Sequence, residues 1–294
     1  MRRILRSALT SLCLLALGYA GVGLLVIFRM TSPSRRLDPA TPANAGLPYE
    51  EVGFASTDGV RLCAWWVPAA DSRRTAILVH GWGGEKSDEH VLKTAPVYHS
   101  EGYNVLIIDL RGQGGSGGTR RTLAYREPRD VRGALLWLEE HGFRAEDVVL
   151  HGWSMGGATV VRAATGAGVA AVVEEAGYAD LPLLLKGAIP RIVGLPRLFV
   201  PGVLLAGRLW PDFDPWSVQP KREASQLWLE DVPLFIIHST ADGVIPVEHA
   251  KLFARAHPEA RVWIVEDLEH VEVFAHPEYE QRLTSFLRSA APPG

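Results

Sequence analysis

Short continuous apolar runs recur along most of this chain, and all but one are followed by a longer stretch in which hydrophobic positions return at helical spacing. The runs lie near residues 75–80, 104–109, 148–152, 169–174, 233–238 and 260–265, and the periodic stretches near 87–100, 128–141, 155–167, 246–256 and 276–289. A run that is apolar at every position reads as a strand covered on both faces, and strands separated by helices pair in parallel. Ahead of them, Glu51 to Thr57 and Arg61 to Val67 flank Asp58-Gly59, a dipeptide suited to a hairpin turn. The pattern predicts an α/β fold, a mostly parallel sheet with helices on both faces.

One stretch interrupts the alternation, from Asp180 to about Pro220. Leu181 to Leu209 is apolar, holds no acidic residue, carries Lys186, Arg191, Arg197 and Arg208, and is cut by Pro182, Pro190, Pro196 and Pro201. It is read as a small helical cap that shapes an apolar acyl pocket, its cations set toward anionic lipid headgroups or a substrate carboxylate. The alternative is two short helices packed on the core with solvated basic side chains.

The amino-terminal end follows neither pattern. Ser7 to Phe28 is uncharged for 22 residues, which as a helix spans about 33 Å, close to the roughly 30 Å hydrocarbon core of a bilayer. Residues 1–28 are therefore expected to be a transmembrane anchor, with a cleaved signal peptide as the alternative because Gly18-Tyr19-Ala20 offers small residues for cleavage. Arg2, Arg3, Arg6 and the terminal amine face Arg29, Arg35 and Arg36 across the segment. That slight excess on the amino side favours a domain outside the cytosol, or a secreted one if the leader is removed. Residues 29–48, with prolines at 33, 39, 42 and 48, read as a linker that, if extended, holds the domain up to about 60 Å from the bilayer. Residues 49–294 are left for one domain.

Composition changes this picture little. A chain that is 47% hydrophobic and 21% charged has the makings of a large core, and a net charge of −3 gives no electrostatic case for a nucleic-acid partner. The two cysteines, Cys13 in the leader and Cys63 in a strand, preclude a disulfide within the domain and do not report the compartment.

Candidate chemistry enters at Val148 to Gly157, where an apolar run breaks into Gly152-Trp153-Ser154-Met155-Gly156 and then into a helix-forming stretch. Gly-x-Ser-x-Gly between strand and helix lifts a serine hydroxyl clear of the backbone, and the turn is tight enough that the flanking positions must lack a Cβ. A nucleophile of this kind needs a base and an acid, which in such folds follow in the order serine, acid, histidine. Asp242 lies on the turn after the run 233–238, and His270 on the loop after 260–265. Loops beyond the carboxyl ends of parallel strands share one crevice, so the three side chains can meet there. Two backbone N–H groups must also face the developing oxyanion. Met155, next after the serine, supplies one, and Trp82, in the glycine-rich His80-Gly81-Trp82-Gly83-Gly84, supplies the other.

With these motifs and Asp109-x-Arg111-Gly112-x-Gly114 in this order, the chain resembles the α/β-hydrolase superfamily from about Tyr49 to Arg288, most closely its small single-domain serine hydrolases with an amino-terminal membrane anchor. The resemblance implies a carboxylesterase-like enzyme acting on a small acyl substrate, possible lipid included, through an acyl-enzyme on Ser154, with no cofactor and no metal. The spacing of the histidines agrees with the latter, since no His-Glu-x-x-His or Cys/His ligand pattern occurs. Rival assignments remain for each role. Glu174, Glu175 or Asp180 can replace Asp242 as the acid, and His276 can replace His270, although Pro277 suits it better to the start of the last helix. His80 reads as a loop organiser, and Asp109 with Arg111 as an internal ion pair. Gly112 to Gly117 formally matches Gly-x-Gly-x-x-Gly, but a dinucleotide site requires a helix to open at once, and none is signalled before Pro128. A serine peptidase or amidase of the same fold, and a hydrolase-fold protein that only binds, are the other functional readings.

Overall fold

The computed structural model describes residues 2–290 and contains one eight-stranded sheet. Its strands are β1 (Glu50–Ala55), β2 (Arg61–Val67), β3 (Thr75–Val79), β4 (Asn104–Ile108), β5 (Val148–Trp153), β6 (Ala171–Glu175), β7 (Leu234–Ser239) and β8 (Arg261–Val265). They lie in the order β1-β2-β4-β3-β5-β6-β7-β8. β2 runs antiparallel to β1 and to β4, and every other neighbouring pair is parallel. Since β3 has β4 on one side and β5 on the other, the winding reverses there, and a crevice opens beyond the carboxyl ends of β3 and β5.

Helices cover both faces, as the runs of fully buried residues in β3, β4, β5 and β6 require. One apolar core holds α2 (Glu89–Ser100) and α9 (Tyr279–Ala290) against the sheet. The other packs α3 (Pro128–Glu140), α4 (Met155–Ala164), α7 (Pro220–Leu229) and α8 (Glu248–Ala256) on the opposite face. The stretch after β6 forms two short helices, α5 (Leu181–Ala188) and α6 (Val200–Leu209), joined by a π turn at Ile189–Val193 and a 3-10 turn at Arg197–Phe199. Asp180 caps α5 by accepting the Leu183 N–H at 2.9 Å. α7 was not expected as a separate helix. Pro220 in its first turn and the buried Ala224 and Leu227 one turn apart were the available signs.

The amino-terminal helix α1 runs Arg2–Thr31, beyond the expected end at Phe28, and its last turns pack against α6. The segment that follows departs from the expected tether. Ser34 N–H donates to Gly112 O at 2.8 Å, the Arg35 guanidinium donates to Gly118 O at 2.6 Å, and Asp38 N–H donates to Glu85 Oε1 at 3.0 Å. A chain rich in proline has few intrachain hydrogen bonds to make, and here the loops after β3 and β4 supply the partners.

Asp109 and Arg111 do not pair with each other, contrary to expectation. Asp109 takes the Lys86 ammonium at 2.7 Å and the N–H groups of Lys86 and Gly115 at 2.8 and 2.9 Å. Arg111 instead bridges Asp130 of α3 and Asp58 of the hairpin turn, each at 2.7 Å. One guanidinium thereby ties β4, α3 and the β1–β2 turn together. Arg111→Ala leaves the buried Asp130 without its counter-charge and is expected to cost about 3–5 kcal/mol of unfolding free energy, read by denaturant melts. A loss under ~1 kcal/mol would show that the cluster is not a structural tie.

Candidate active site

Ser154 sits between β5 and α4 with φ 56° and ψ −120°, a left-handed conformation that side chains other than glycine's rarely adopt. Its N–H donates to Glu175 O at 2.8 Å, which stitches the turn to the end of β6. The turn is closed so tightly that a Cβ at Gly152 would lie 2.2 Å from Gly156 O, and one at Gly156 would lie 2.1 Å from Val79 O. The two glycines are therefore a steric requirement for this bend.

His270 lies on the loop after β8, and its Nε2 is 2.8 Å from Ser154 Oγ. Its Nδ1 is 2.7 Å from Asp242 Oδ2, on the turn after β7. The other carboxylate oxygen, Oδ1, accepts the N–H groups of Val244 and Ile245, each at 2.8 Å. Burial pushes the Asp242 carboxyl up, but the hydrogen bond and charge of His270, the Ile245 N–H and His238 outweigh it and hold the group below its usual value. An ionised Asp242 can only accept, so Nδ1 carries the proton and Nε2 presents a lone pair to the serine hydroxyl.

The loop after β3 runs beside this serine. A Cβ at Gly81 would fall 3.1 Å from Ser154 Cβ. Among the described residues neither the Trp82 N–H nor the Met155 N–H has an acceptor within the protein, and the latter opens α4, where the helix dipole favours negative charge. His80 is fully buried in the loop, its Nε2 accepting Leu110 N–H at 3.1 Å and its Nδ1 2.8 Å from Gly81 O. Gly83 N–H donates to Gln113 Oε1 at 2.6 Å. The Trp82 indole N–H donates to Met30 O at 2.9 Å, at the end of α1, and Arg121 stacks over the same ring at 4.2 Å. No local motif announces either link, because the partners lie 30 and 52 residues away in the chain.

The rival residues go elsewhere. Asp180 caps α5 and pairs with Lys221 at 2.7 Å. Glu174 accepts the Gly177 N–H, and Glu175 accepts the Tyr279 hydroxyl at 2.9 Å. His276 Nδ1 accepts Glu278 N–H at 3.1 Å just before α9. Gly112 to Gly117 is a turn folded around Asp109 and Ser116, with no helix before α3. From the cap, Arg191 donates to Val244 O at 3.1 Å, two residues past Asp242.

A family model described as the alpha/beta hydrolase family matches residues 76–282. The chain is 28% identical over 257 residues to "Uncharacterized protein YfhR" of Escherichia coli (strain K12), covering 83% of this chain and 82% of that one. It is 30% identical over 205 residues to "Uncharacterized protein Rv2307c" of Mycobacterium tuberculosis, covering 62% and 72% respectively. Among solved structures, the esterase Pf2001 of Pyrococcus furiosus superposes with a TM-score of 0.73 at 23% identity over 88% of this chain and 99% of its own. Est1E of Butyrivibrio proteoclasticus, with ferulic acid bound, superposes with a TM-score of 0.62 at 17% identity over 80% and 96%. At these identities the superpositions speak to the fold.

Glu174 and Glu175 lie fully buried at the end of β6, the strand to which the Ser154 N–H is bonded, and burial raises each from an ordinary value near 4.5 to about 8. Both are thus neutral in the folded protein at pH 7 but ionised in the unfolded chain. Stability from this source is full below about pH 4.5, falls as pH rises, and is gone once pH passes about 8. Thermal melts between pH 5 and 9 are expected to show this decline, and Glu174→Gln and Glu175→Gln to flatten it. Melting profiles parallel to that of the parent would refute the assignment.

Proposed function

Because this chain belongs to the alpha/beta hydrolase family, we propose that it is a serine hydrolase that cleaves a carboxylic ester through an acyl-enzyme on Ser154. The carrying observation is the continuous relay from Asp242 to His270 at 2.7 Å and from His270 to Ser154 at 2.8 Å. His270 Nε2 takes the hydroxyl proton as Oγ attacks the carbonyl carbon, and Asp242 stabilises the imidazolium that forms. The carbonyl oxygen becomes an alkoxide held by the N–H groups of Trp82 and Met155. Collapse of the tetrahedral species expels the alcohol, which takes the proton from His270. Water, deprotonated by the same imidazole, then attacks the acyl-enzyme and releases the acid.

The apolar cap and the apolar helix favour a medium or long acyl chain over a peptide. We read α1 as a retained single-pass anchor with the catalytic domain outside the cytosol. An 18-residue window within its Arg3–Thr31 stretch has a mean hydropathy of 2.3. Tyr19, the middle residue of the Gly18-Tyr19-Ala20 cleavage motif and so removed with a cleaved leader, donates to Leu198 O at 2.7 Å, so removal of the leader would unpack the cap.

A fluorophosphonate probe is expected to label the folded protein and to fail on Ser154→Ala, whose turnover should fall at least 10³-fold. Absence of labelling on folded parent protein would end the hydrolase reading. In a p-nitrophenyl ester series set beside acyl thioesters and amides, esters of medium to long chain should turn over fastest, and faster hydrolysis of the amides would replace esterase with amidase.

Trp82→Phe keeps the ring and the backbone N–H but removes the indole donor to Met30 O. If that bond holds the oxyanion loop, kcat falls roughly 5-fold to 10-fold, in line with the loss of one hydrogen bond, while KM is unchanged. An unchanged kcat would show that the loop is held without it.

A further inference from the structure

The cap carries a surface that the proposed reaction does not use. α6 buries Val200, Val203 and Ala206 but leaves Leu205 and Leu209 58% and 73% exposed, and Leu198 just before it is 62% exposed. Beside these residues, Lys186, Arg197 and Arg208 line an apolar trough of about 520 Å³ together with Pro201, Leu205 and Trp216. None of the three cations is paired with a carboxylate among the described residues, and the sequence from 181 to 211 contains no acid. A water-facing surface ordinarily scatters its apolar side chains and mixes its charges.

What fixes the identity of the occupant is the seat of α6 on α1. The two helices meet at a small-residue contact, where a Cβ at Gly23 would lie 2.8 Å from Gly202 O. Tyr19 OH donates to Leu198 O at 2.7 Å and accepts Gly202 N–H at 2.9 Å, while its ring stacks on Phe199 at 5.3 Å. Phe28 meets Trp210 edge-on at 6.3 Å. Contact with the cap thus covers the last third or more of the apolar span and begins at Tyr19. At 1.5 Å per residue, the stretch from Tyr19 to Phe28 is about 14 Å long. If α1 crosses a bilayer over Ser7 to Phe28, that length lies within the membrane, and α6 lies beside it at the same depth. Its outward leucines then face acyl chains, Arg208 lies near the Trp210 end of α6 that meets Phe28 at the level of the phosphates, and Arg197, beside Leu198 on Tyr19, reaches toward that level only by extending its side chain along α6.

We propose that the cap is a membrane-embedded face of this protein, in which α6 lies in the bilayer beside the last turns of α1 with its Trp210 end at the interface, and the Lys186, Arg197 and Arg208 trough takes the headgroup of an anionic phospholipid. The proposal rests on the reading of α1 as a membrane span. It is independent of the chemistry at Ser154. Seated this way, the crevice opens beside the lipid surface, because Arg191 of the cap is bonded to Val244 in the loop that holds Asp242. An acyl substrate would then reach Ser154 from the membrane and not from bulk water.

The test uses the full chain, reconstituted in phosphatidylcholine vesicles with and without phosphatidylglycerol. Cys13 and Cys63 are first replaced as Cys13→Ser and Cys63→Ala, and a nitroxide is attached through Leu205→Cys in the cap, Leu14→Cys in α1 or Val262→Cys on the far edge of the sheet. Collisional accessibility to oxygen and to a polar nickel complex reports depth. The label at 205 is expected in lipid, and deeper with phosphatidylglycerol present, while the label at 262 stays in water. Lys186→Glu, Arg197→Glu and Arg208→Glu together should abolish the dependence on phosphatidylglycerol, in protein whose melting temperature matches the parent's. A label at 205 as wet as that at 262, with the label at 14 in lipid, overturns the proposal and leaves the anchor standing. Both 14 and 205 in water would overturn the anchor reading and the proposal with it. Equal depth with and without phosphatidylglycerol eliminates the headgroup site, and spin–spin broadening at 205 would assign the face to a second copy of the chain. Because no readout depends on turnover, failure of the hydrolase reading would be recognised separately, by the fluorophosphonate probe.

Discussion

The site depends on one strained residue. Ser154 is held at a φ of 56°, a conformation that costs a non-glycine residue about 1–3 kcal/mol and persists only where its surroundings over-determine it. Here three constraints do so. Gly152 and Gly156 let β5 and α4 close to a separation that any Cβ would prevent, the serine N–H is bonded to the end of β6, and the loop after β3 passes so near the serine at Gly81 that a Cβ there would crowd it. Those contacts draw in three neighbouring strands, so the geometry of a single hydroxyl is set by the order of the sheet. A strand order without β3 beside β5 would leave the Trp82 loop in another place.

The same loop is where the amino-terminal helix joins the candidate site. Met30 O and Ser32 O, at the end of α1, accept from the Trp82 indole and from Arg121, which itself covers that indole. Ser34 and Arg35 then bind the glycine turn after β4, and Gln113 of that turn holds Gly83. The result is a short circuit of hydrogen bonds from the apolar helix to the backbone that faces the serine. A segment expected to stand clear of the domain is part of the wall around its reactive group.

Elements whose signal is local were legible in the sequence. The hairpin at Asp58-Gly59, the buried strands, the elbow and the two short helices of the cap all announce themselves within a window of a few residues, through turn chemistry, unbroken apolar runs or proline placement. The approach of Asp242 and His270 to Ser154 was legible too, since a parallel sheet sends successive loops to one edge. What was not legible depends on partners chosen in three dimensions. Asp109 and Arg111 are two residues apart, and adjacency suggested a pair, yet Lys86 and Asp130 offered each a shorter and better-satisfied partner. α7 was hidden because its buried residues are few and it follows directly on an irregular cap. The course of residues 32–38 could not be read at all, since backbone hydrogen bonds leave no mark on composition.

The carboxylates around the serine show how environment, not residue type, sorts candidates for the acid. Glu174, Glu175 and Asp242 all lie near the carboxyl end of the sheet and all are buried. Glu174 receives one backbone N–H, and Glu175 a tyrosine hydroxyl with the Trp153 indole and His151 beside it, which is too little to offset burial, and each is raised to about 8. Asp242 receives two backbone N–H groups and an imidazole, and its value is lowered despite the burial. On the proposed mechanism a carboxylate that stays charged both fixes the histidine tautomer and offsets the positive charge that forms on the ring, which favours Asp242 over the two glutamates. Their neutrality has a second consequence. On the proposed mechanism, a negative charge at either glutamate, on the strand beside Ser154, would oppose the oxyanion, and protonated glutamates remove that opposition while still filling the space with hydrogen-bonding groups.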